Sequence, residues 1–183
     1  QGAELTAWDD FLVGGHEIRD LPLSKEAVRM AAESRAIEPR LVDECRDELL
    51  EIDRRIRPGT IHNSGRTISR LACDKVPRRE SPRQAVERLQ RDMSRFAKTN
   101  RLEHVIVVNV ASTEPGVDTD SIPQRWSDLE PLLDRPRKCP LPASSLYAVA
   151  ALDLGFSYIN FTPSLGSTPA ALDELAQLRQ TRH

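Results

Sequence analysis

Nothing in this 183-residue sequence approaches the run of about 18 apolar residues that crosses a bilayer, so no membrane-spanning helix is expected. No charged-then-apolar leader opens the chain, and the expected location is cytoplasmic. Cysteine is sparse: Cys45, Cys73 and Cys139 stand far apart without a C-x-x-C pair, which excludes a disulfide scaffold and reads as reduced and intracellular. His16, His62, His104 and His183 form no H-E-x-x-H, so no metal is expected. There is no G-x-G-x-x-G and no G-x-S-x-G, so neither a glycine-rich pyrophosphate loop nor a nucleophile elbow is present. Aromatics make up 4% of a chain that is 39% hydrophobic, which predicts an aliphatic core. The formal charge of −2 supplies no field for nucleic acid or an anionic membrane. Asn160-Phe161-Thr162 fits a glycosylation sequon, but without a leader the match is accidental.

What is present reads as a helix-rich α/β chain. Phe11-Leu12-Val13, stopped by Gly14-Gly15, predicts a strand, and a helix capped by Ser24 is expected from Lys25 to about Arg35. Leu41, Val42, Cys45, Leu49, Ile52 and Ile56 form a stripe at helical spacing, ended by Pro58-Gly59. A short helical piece follows at Thr67–Cys73. Ser81, Pro82 and Gln84 then supply an N-cap, a first-position proline and a capping box for a helix that buries Ala85, Val86, Leu89, Met93, Phe96 and Ala97. Trp126 to Leu133 predicts another short helix, and Trp8 and Trp126 read as packing residues.

Val105 to Val110 is nearly all apolar and predicts a central strand covered on both faces. It breaks at Ala111-Ser112-Thr113-Glu114-Pro115. Residues 141–171 repeat the arrangement: a helix, a strand ending at Asn160-Phe161-Thr162-Pro163-Ser164, and a second helix opened by Thr168-Pro169. Strands that end in hydroxyl-rich loops ahead of a helix are where α/β proteins seat phosphates and dinucleotides. Three strands in all are fewer than a doubly wound sheet uses, so a single partial Rossmann-like domain over 1–183 is expected.

These segments resemble the myo-inositol-1-phosphate synthase family in its shorter bacterial-type branch. The matching residues are Gly14-Gly15-His16-Glu17-Ile18, Arg57-Pro58-Gly59-Thr60, Val107 to Pro115 and the 141–171 block, and the likeness runs from about Asp10 to Leu175. It implies the middle of a Rossmann-like, doubly wound parallel sheet, incomplete in this chain. It also implies NAD as cofactor, a sugar-phosphate substrate, no nucleic-acid or membrane partner, and a homo-oligomer, in the family a tetramer. The implied reaction converts glucose 6-phosphate to myo-inositol 1-phosphate: oxidation, enolisation, aldol closure and return of the hydride, a net isomerisation serving inositol and phospholipid biosynthesis.

The cofactor-binding residues carried over by the resemblance are Glu17, Thr60, Ala111, Ser112, Thr113 and Thr162. Glu17 stands where the family more often has aspartate. Ala111-Ser112-Thr113 stands for its Ala-Asn-Thr, and Asn160-Phe161-Thr162 for its Asn-Gly-Ser. Residue types alone leave other readings open. Glu17 reads as a solvated turn carboxylate, Ser112 and Thr113 as a strand terminator, Thr168-Pro169 as a helix cap, and Ser144 and Ser145 as caps rather than nucleophiles. Arg57 and Arg66 are candidate phosphate ligands by proximity to the Gly59-Thr60 turn. The family's catalytic lysines lie outside this segment, and Lys25, Lys75, Lys98 and Lys138 read as solvated, so no catalytic residue is assigned. Two other readings stand beside the synthase: a catalytically inactive relative that binds a nucleotide or a partner, and another NAD-dependent oxidoreductase.

Overall fold

The computed structural model describes Ala7 and residues 10–183, which divide between Arg57 and Pro58 into two units. Trp8 lies outside the described residues. In the first unit, β1 (Gly15–Glu17) pairs with β2 (Ile56–Pro58). Between them come α1 (Leu23–Arg29), a π-helical turn over Met30–Ser34, α2 (Pro39–Glu44) and α3 (Arg46–Arg55). Ala27, Ala31 and Val42 form a small buried cluster, with Ile37 and Leu49 packed on it.

Three sequence expectations shift here. The 11–13 run is not a strand: Phe11 and Val13 are 53% and 52% exposed, and the pairing falls on Gly15-His16-Glu17 instead. The helix expected across 41–56 breaks at Cys45, whose backbone (φ −95°, ψ 16°) leaves the helical region. Leu41, 48% exposed, therefore shares no continuous stripe with the residues beyond the break. Ser24 is not the cap of α1 but lies inside it, and the capping group is Asp53 from α3. The Asp53 carboxylate accepts from the amides of Leu23 (2.6 Å) and Ser24 (3.2 Å) and from the Ser24 hydroxyl (2.6 Å). These donors outweigh partial burial and hold its pKa below the ordinary aspartate value. Because the folded pKa is depressed, the cap stabilises fully above pH of about 4 and is lost as pH falls through the folded value. Asp53→Ala is expected to cost about 1 kcal/mol in denaturant unfolding at pH 7, and less as the pH is lowered toward about 2.5. Equal losses at both pH values would contradict the cap.

The second unit holds α4 (Gly65–Leu71), α5 (Pro82–Asn100), β3 (Ile106–Asn109), α6 (Trp126–Leu129) running into a 3-10 turn at Glu130–Asp134, α7 (Ala143–Asp153), β4 (Ser157–Asn160) and α8 (Ala170–Leu178). β3 and β4 are parallel, with Ile106 opposite Ser157 and Asn109 opposite Asn160. A parallel pair needs a crossover, which runs through α6 and α7. The capping box at Ser81 and Gln84 is formed as expected, and Ala85, Val86, Leu89 and Met93 make the buried face of α5. Phe96 and Ala97 are only half-buried.

α7 is the centre of this unit. Its sequence is apolar nearly all the way round, and such a helix is stable only when surrounded. Ala148, Val149, Ala150, Ala151 and Leu152 are buried against α5, α8 and β4, and the small alanines let those neighbours approach closely. Trp126, Leu129, Leu133 and Tyr158 complete the core, so Trp126 is the packing residue expected. α8 begins at Ala170, and Pro169 with its carbonyl, not the Thr168 hydroxyl, serves as the cap.

β3 is covered on one face only. Val107 packs on the core, while Ile106 and Val108 are 52% and 48% exposed. Val110, Ile159 and Phe161 extend the open apolar face. A continuous apolar run signals a strand but does not by itself supply its second cover. The result is a helix-rich α/β arrangement with a short parallel pair. Among the described residues no helix is long and apolar enough to cross a membrane, and no group of His, Cys, Asp or Glu could hold a metal ion.

Candidate functional site

Because β3 and β4 are parallel and in register, the loops after Asn109 and Asn160 leave the same end of the pair. Side-chain amides and hydroxyls bind these loops together. The Asn109 amide donates to Asn160 Oδ1 (3.0 Å) and Thr162 Oγ1 (3.3 Å), and its Oδ1 accepts from the Ala111 amide (3.3 Å). Thr162 Oγ1 donates to Asn160 Oδ1 (2.9 Å) and accepts from the Ser164 amide (3.2 Å). With the Asn109 bond, the proton and both lone pairs of that hydroxyl are committed. Asn160 Nδ2 donates to the Ser164 carbonyl (2.7 Å), and Ser164 Oγ accepts from the Glu114 amide (3.0 Å).

The start of α7 joins both loops. Glu114 accepts from the Ser144 amide (3.0 Å) with one carboxylate oxygen and from the Ser144 hydroxyl with the other. Ser144 Oγ also accepts from the Gly166 amide (3.1 Å), and Ser145 Oγ donates to the Gly166 carbonyl (2.7 Å). The buried Tyr158 hydroxyl donates to the Ser144 carbonyl (3.0 Å). A carboxylate at a helix N-terminus satisfies orphan amides and complements the dipole. Here that anion is the protein's own. Burial lifts the Glu114 pKa above the ordinary glutamate range, although the Ser144 hydroxyl and the Ser144 and Ala143 amides pull the other way. Burial likewise raises the Tyr158 phenol, with the Glu114 charge adding to it.

Two glycines fix close approaches around this end of the pair. Gly166 (φ +52°) leaves no room for a side chain, since a Cβ would lie 2.6 Å from Asn160 Nδ2. Gly65 (φ +84°), at the start of α4, packs on Pro115, where a Cβ would lie 2.5 Å from its Cγ.

Of the residues singled out in the sequence, Ala111, Ser112, Thr113 and Thr162 come together at this end of the strand pair. Ser112 and Thr113 are exposed, and their hydroxyls have no partner among the described residues. Thr60 lies in the same unit but is 5% exposed, in a turn held from α5. There Arg88 donates to the carbonyls of Pro58 (2.7 Å) and Gly59 (3.0 Å) and forms a fork with Glu80 (2.9 and 2.6 Å). Burial opposes the Arg88 charge, yet Glu80 raises its pKa overall. His62, beside that turn, is pushed toward its neutral form by burial, partly offset by Glu80. Glu17 lies in the first unit, where its carboxylate accepts from the Ile18 (2.8 Å) and Arg19 (3.0 Å) amides and pairs with the Arg19 guanidinium (3.0 Å). Burial opposes that charge, and the Arg19 contacts lower its pKa overall.

Arg57 donates to the carbonyls of Arg54 and Ile56, whereas Arg66 is exposed on α4, next to the glycine that touches Pro115. Lys25, Lys75, Lys98 and Lys138 are all exposed. Sequence reasoning passed over Glu114 and Gly166 as site residues. It read Ser144 and Ser145 as caps of their own helix, when they bind the neighbouring loops. Their only local cues were a glutamate in the loop beyond β3 and paired serines opening a helix, neither of them distinctive.

Among curated protein sequences none matches this chain. Inositol-3-phosphate synthase from Caenorhabditis elegans has a similar structure, with a TM-score of 0.74 at 23% identity. The match covers 93% of this chain but 32% of that one, so the chain spans about a third of the relative's length. At that identity the likeness establishes the fold, a partial Rossmann-like arrangement. The family model for myo-inositol-1-phosphate synthase, that of its NAD-binding domain, matches residues 2–183. A parallel pair whose strand ends carry the expected hydroxyl loops, together with a match over nearly every residue, shows that this chain belongs to the myo-inositol-1-phosphate synthase family.

Proposed function

We propose that this chain is the NAD-bearing part of an inositol-phosphate synthase that isomerises glucose 6-phosphate to myo-inositol 1-phosphate. The observation that carries the reading is the family match over residues 2–183, laid on two strand-end loops held in one register. When bound, NAD supplies a hydride acceptor that returns what it takes, so the net reaction is redox-neutral.

The residues present fit such a group. Ser112 and Thr113 display uncommitted hydroxyls for ribose or phosphate oxygens, and Ala111 lets backbone approach without a side chain in the way. Thr162, its own bonding complete, holds the second loop in place for them. Thr60, buried behind the Arg88 clamp, supports this cradle from the Gly59 turn. Within the first unit, Glu17 keeps a lone pair that Arg19 leaves, free to accept from a ribose hydroxyl. Arg66 is the favoured phosphate ligand, since Arg57 is engaged with backbone carbonyls. The bacterial-type branch, the cytoplasmic location and a tetrameric assembly belong to this reading, with phospholipid biosynthesis as its setting.

No lysine of this chain lies in the strand-end network, so the 183-residue polypeptide is expected to bind NAD without completing the cyclisation. Calorimetric titration of the polypeptide with NAD, alongside a phosphate-release assay specific for inositol phosphate, tests both halves. Saturable NAD binding that weakens in the Ser112→Ala, Thr113→Val double variant is expected. Absence of NAD binding would sink the reading. Turnover of glucose 6-phosphate by the polypeptide alone would refute the division of labour. NAD binding with no turnover in any longer form would favour the inactive, nucleotide-binding relative.

A further inference from the structure

The strand-end loops leave the same end of β3 and β4, and both are fastened to one residue pair at the start of α7. Glu114 reaches α7 across 30 positions of sequence and Gly166 reaches it across 22, and Ser144 receives both. Ser144 Oγ spends its proton on Glu114 and a lone pair on the Gly166 amide, so the two loops share one oxygen. Ser144 is 4% exposed and its backbone carbonyl is held by Tyr158, so the start of α7 is fixed where its hydroxyl meets both loops. Between Asn109 and Glu114 lie Ala111, Ser112 and Thr113, anchored at the first end by Asn109 Oδ1 and at the second by this carboxylate. The Glu114 amide adds a direct bond to Ser164 Oγ (3.0 Å), and Pro115 packs on Gly65 of α4.

From this geometry we propose that Glu114 is a positioning residue for the dinucleotide. It acts through Ser144 to set the 111–113 loop and the 164–167 loop in one mutual register. The inference rests on the NAD reading above for its ligand, but the coupling of the two loops stands on the hydrogen bonds alone. It also assigns the positive end of α7. The Glu114 carboxylate takes that end, so the helix is closed to a ligand phosphate, and the ligand's negative charge must be met elsewhere.

Charge is secondary to geometry in this role. Glutamine keeps one acceptor oxygen, Oε1, for the Ser144 hydroxyl or amide, so Glu114→Gln should keep more of the register than Glu114→Ala. Glu114→Ala should lose it, and Ser144→Ala should free both loops at once. Amide hydrogen exchange at residues 111–113 and 164–167, NAD affinity by calorimetry and thermal melting would be measured for the wild type and the three variants. Expected are faster exchange in both loops and NAD affinity weakened about tenfold in Glu114→Ala and Ser144→Ala, with Glu114→Gln within a factor of about three of wild type. Comparison at matched fractions folded, set by the melting data, separates loop register from global loss.

Unchanged exchange at 164–167 in Glu114→Ala would overturn the coupling. Faster exchange with undiminished NAD affinity would overturn the positioning role. If the wild type fails to bind NAD, the functional reading and the ligand half of this inference fall together. The exchange data then still decide whether Glu114 couples the loops.

Discussion

Arg88→Met is expected to destabilise the second unit by about 3 kcal/mol, one of the two largest effects predicted for a single substitution in this protein. The pair it breaks is largely desolvated, with 17% of the Arg88 side chain and 12% of the Glu80 side chain exposed. Removing the guanidinium strands a largely buried carboxylate and frees the Pro58 and Gly59 carbonyls in the same step. Leaving a buried charge without its partner costs far more than the intact pair contributes. A double variant, Arg88→Met with Glu80→Gln, should therefore recover part of the loss. Denaturant unfolding followed by Trp126 fluorescence gives the four corners of the cycle. A loss below about 1 kcal/mol for Arg88→Met would show that water reaches the pair and that the clamp does not hold the Thr60 turn.

Gly166→Ala is expected to cost about 3 kcal/mol, from two separable sources. One is the left-handed backbone at φ +52°, which a side chain resists. The other is collision, since the new methyl would lie 2.6–3.0 Å from three atoms of Asn160, the side chain that carries the strand-end network. Gly155 provides the control. It also has a positive φ, +76°, but nothing lies within 4 Å of where its Cβ would be. Gly155→Ala should thus show only the backbone cost, about 1–2 kcal/mol. The difference between the two variants measures the Asn160 contact, and equal losses would mean that Asn160 simply moves aside.

The sequence showed clearly those parts of the structure whose causes are local. Ser81, Pro82 and Gln84 announce the start of α5 because all their hydrogen bonds close within one turn. The strands near 105–110 and 156–160 are bounded by their own breakers, and the hydroxyl loops after them follow directly. The features that escaped are joined across long stretches of chain. β2 is written Ile56-Arg57-Pro58, with a proline and no alternation, and it is a strand only because β1 pairs with it. The cap of α1 comes from Asp53, 30 positions from the amide it receives, so the nearby Ser24 was a false signal. The break at Cys45 carries neither glycine nor proline to mark it. The strand-end loops were legible as hydroxyl-rich loops at one end of the pair, but the carboxylate and serine that bind them were not. Neither Glu114 nor Ser144 has a distinctive neighbourhood until the fold brings them together.

The burial of α7 on all sides also sets an order of assembly. α5 and α7 precede α8, yet Leu172 and Leu175, which close the core over α7, come from α8, and the Tyr158 amide bonds to the carbonyl of Arg182. During synthesis the most apolar helix of the chain therefore emerges ahead of its last wall. The second unit can reach its folded form only after nearly all of these residues have emerged.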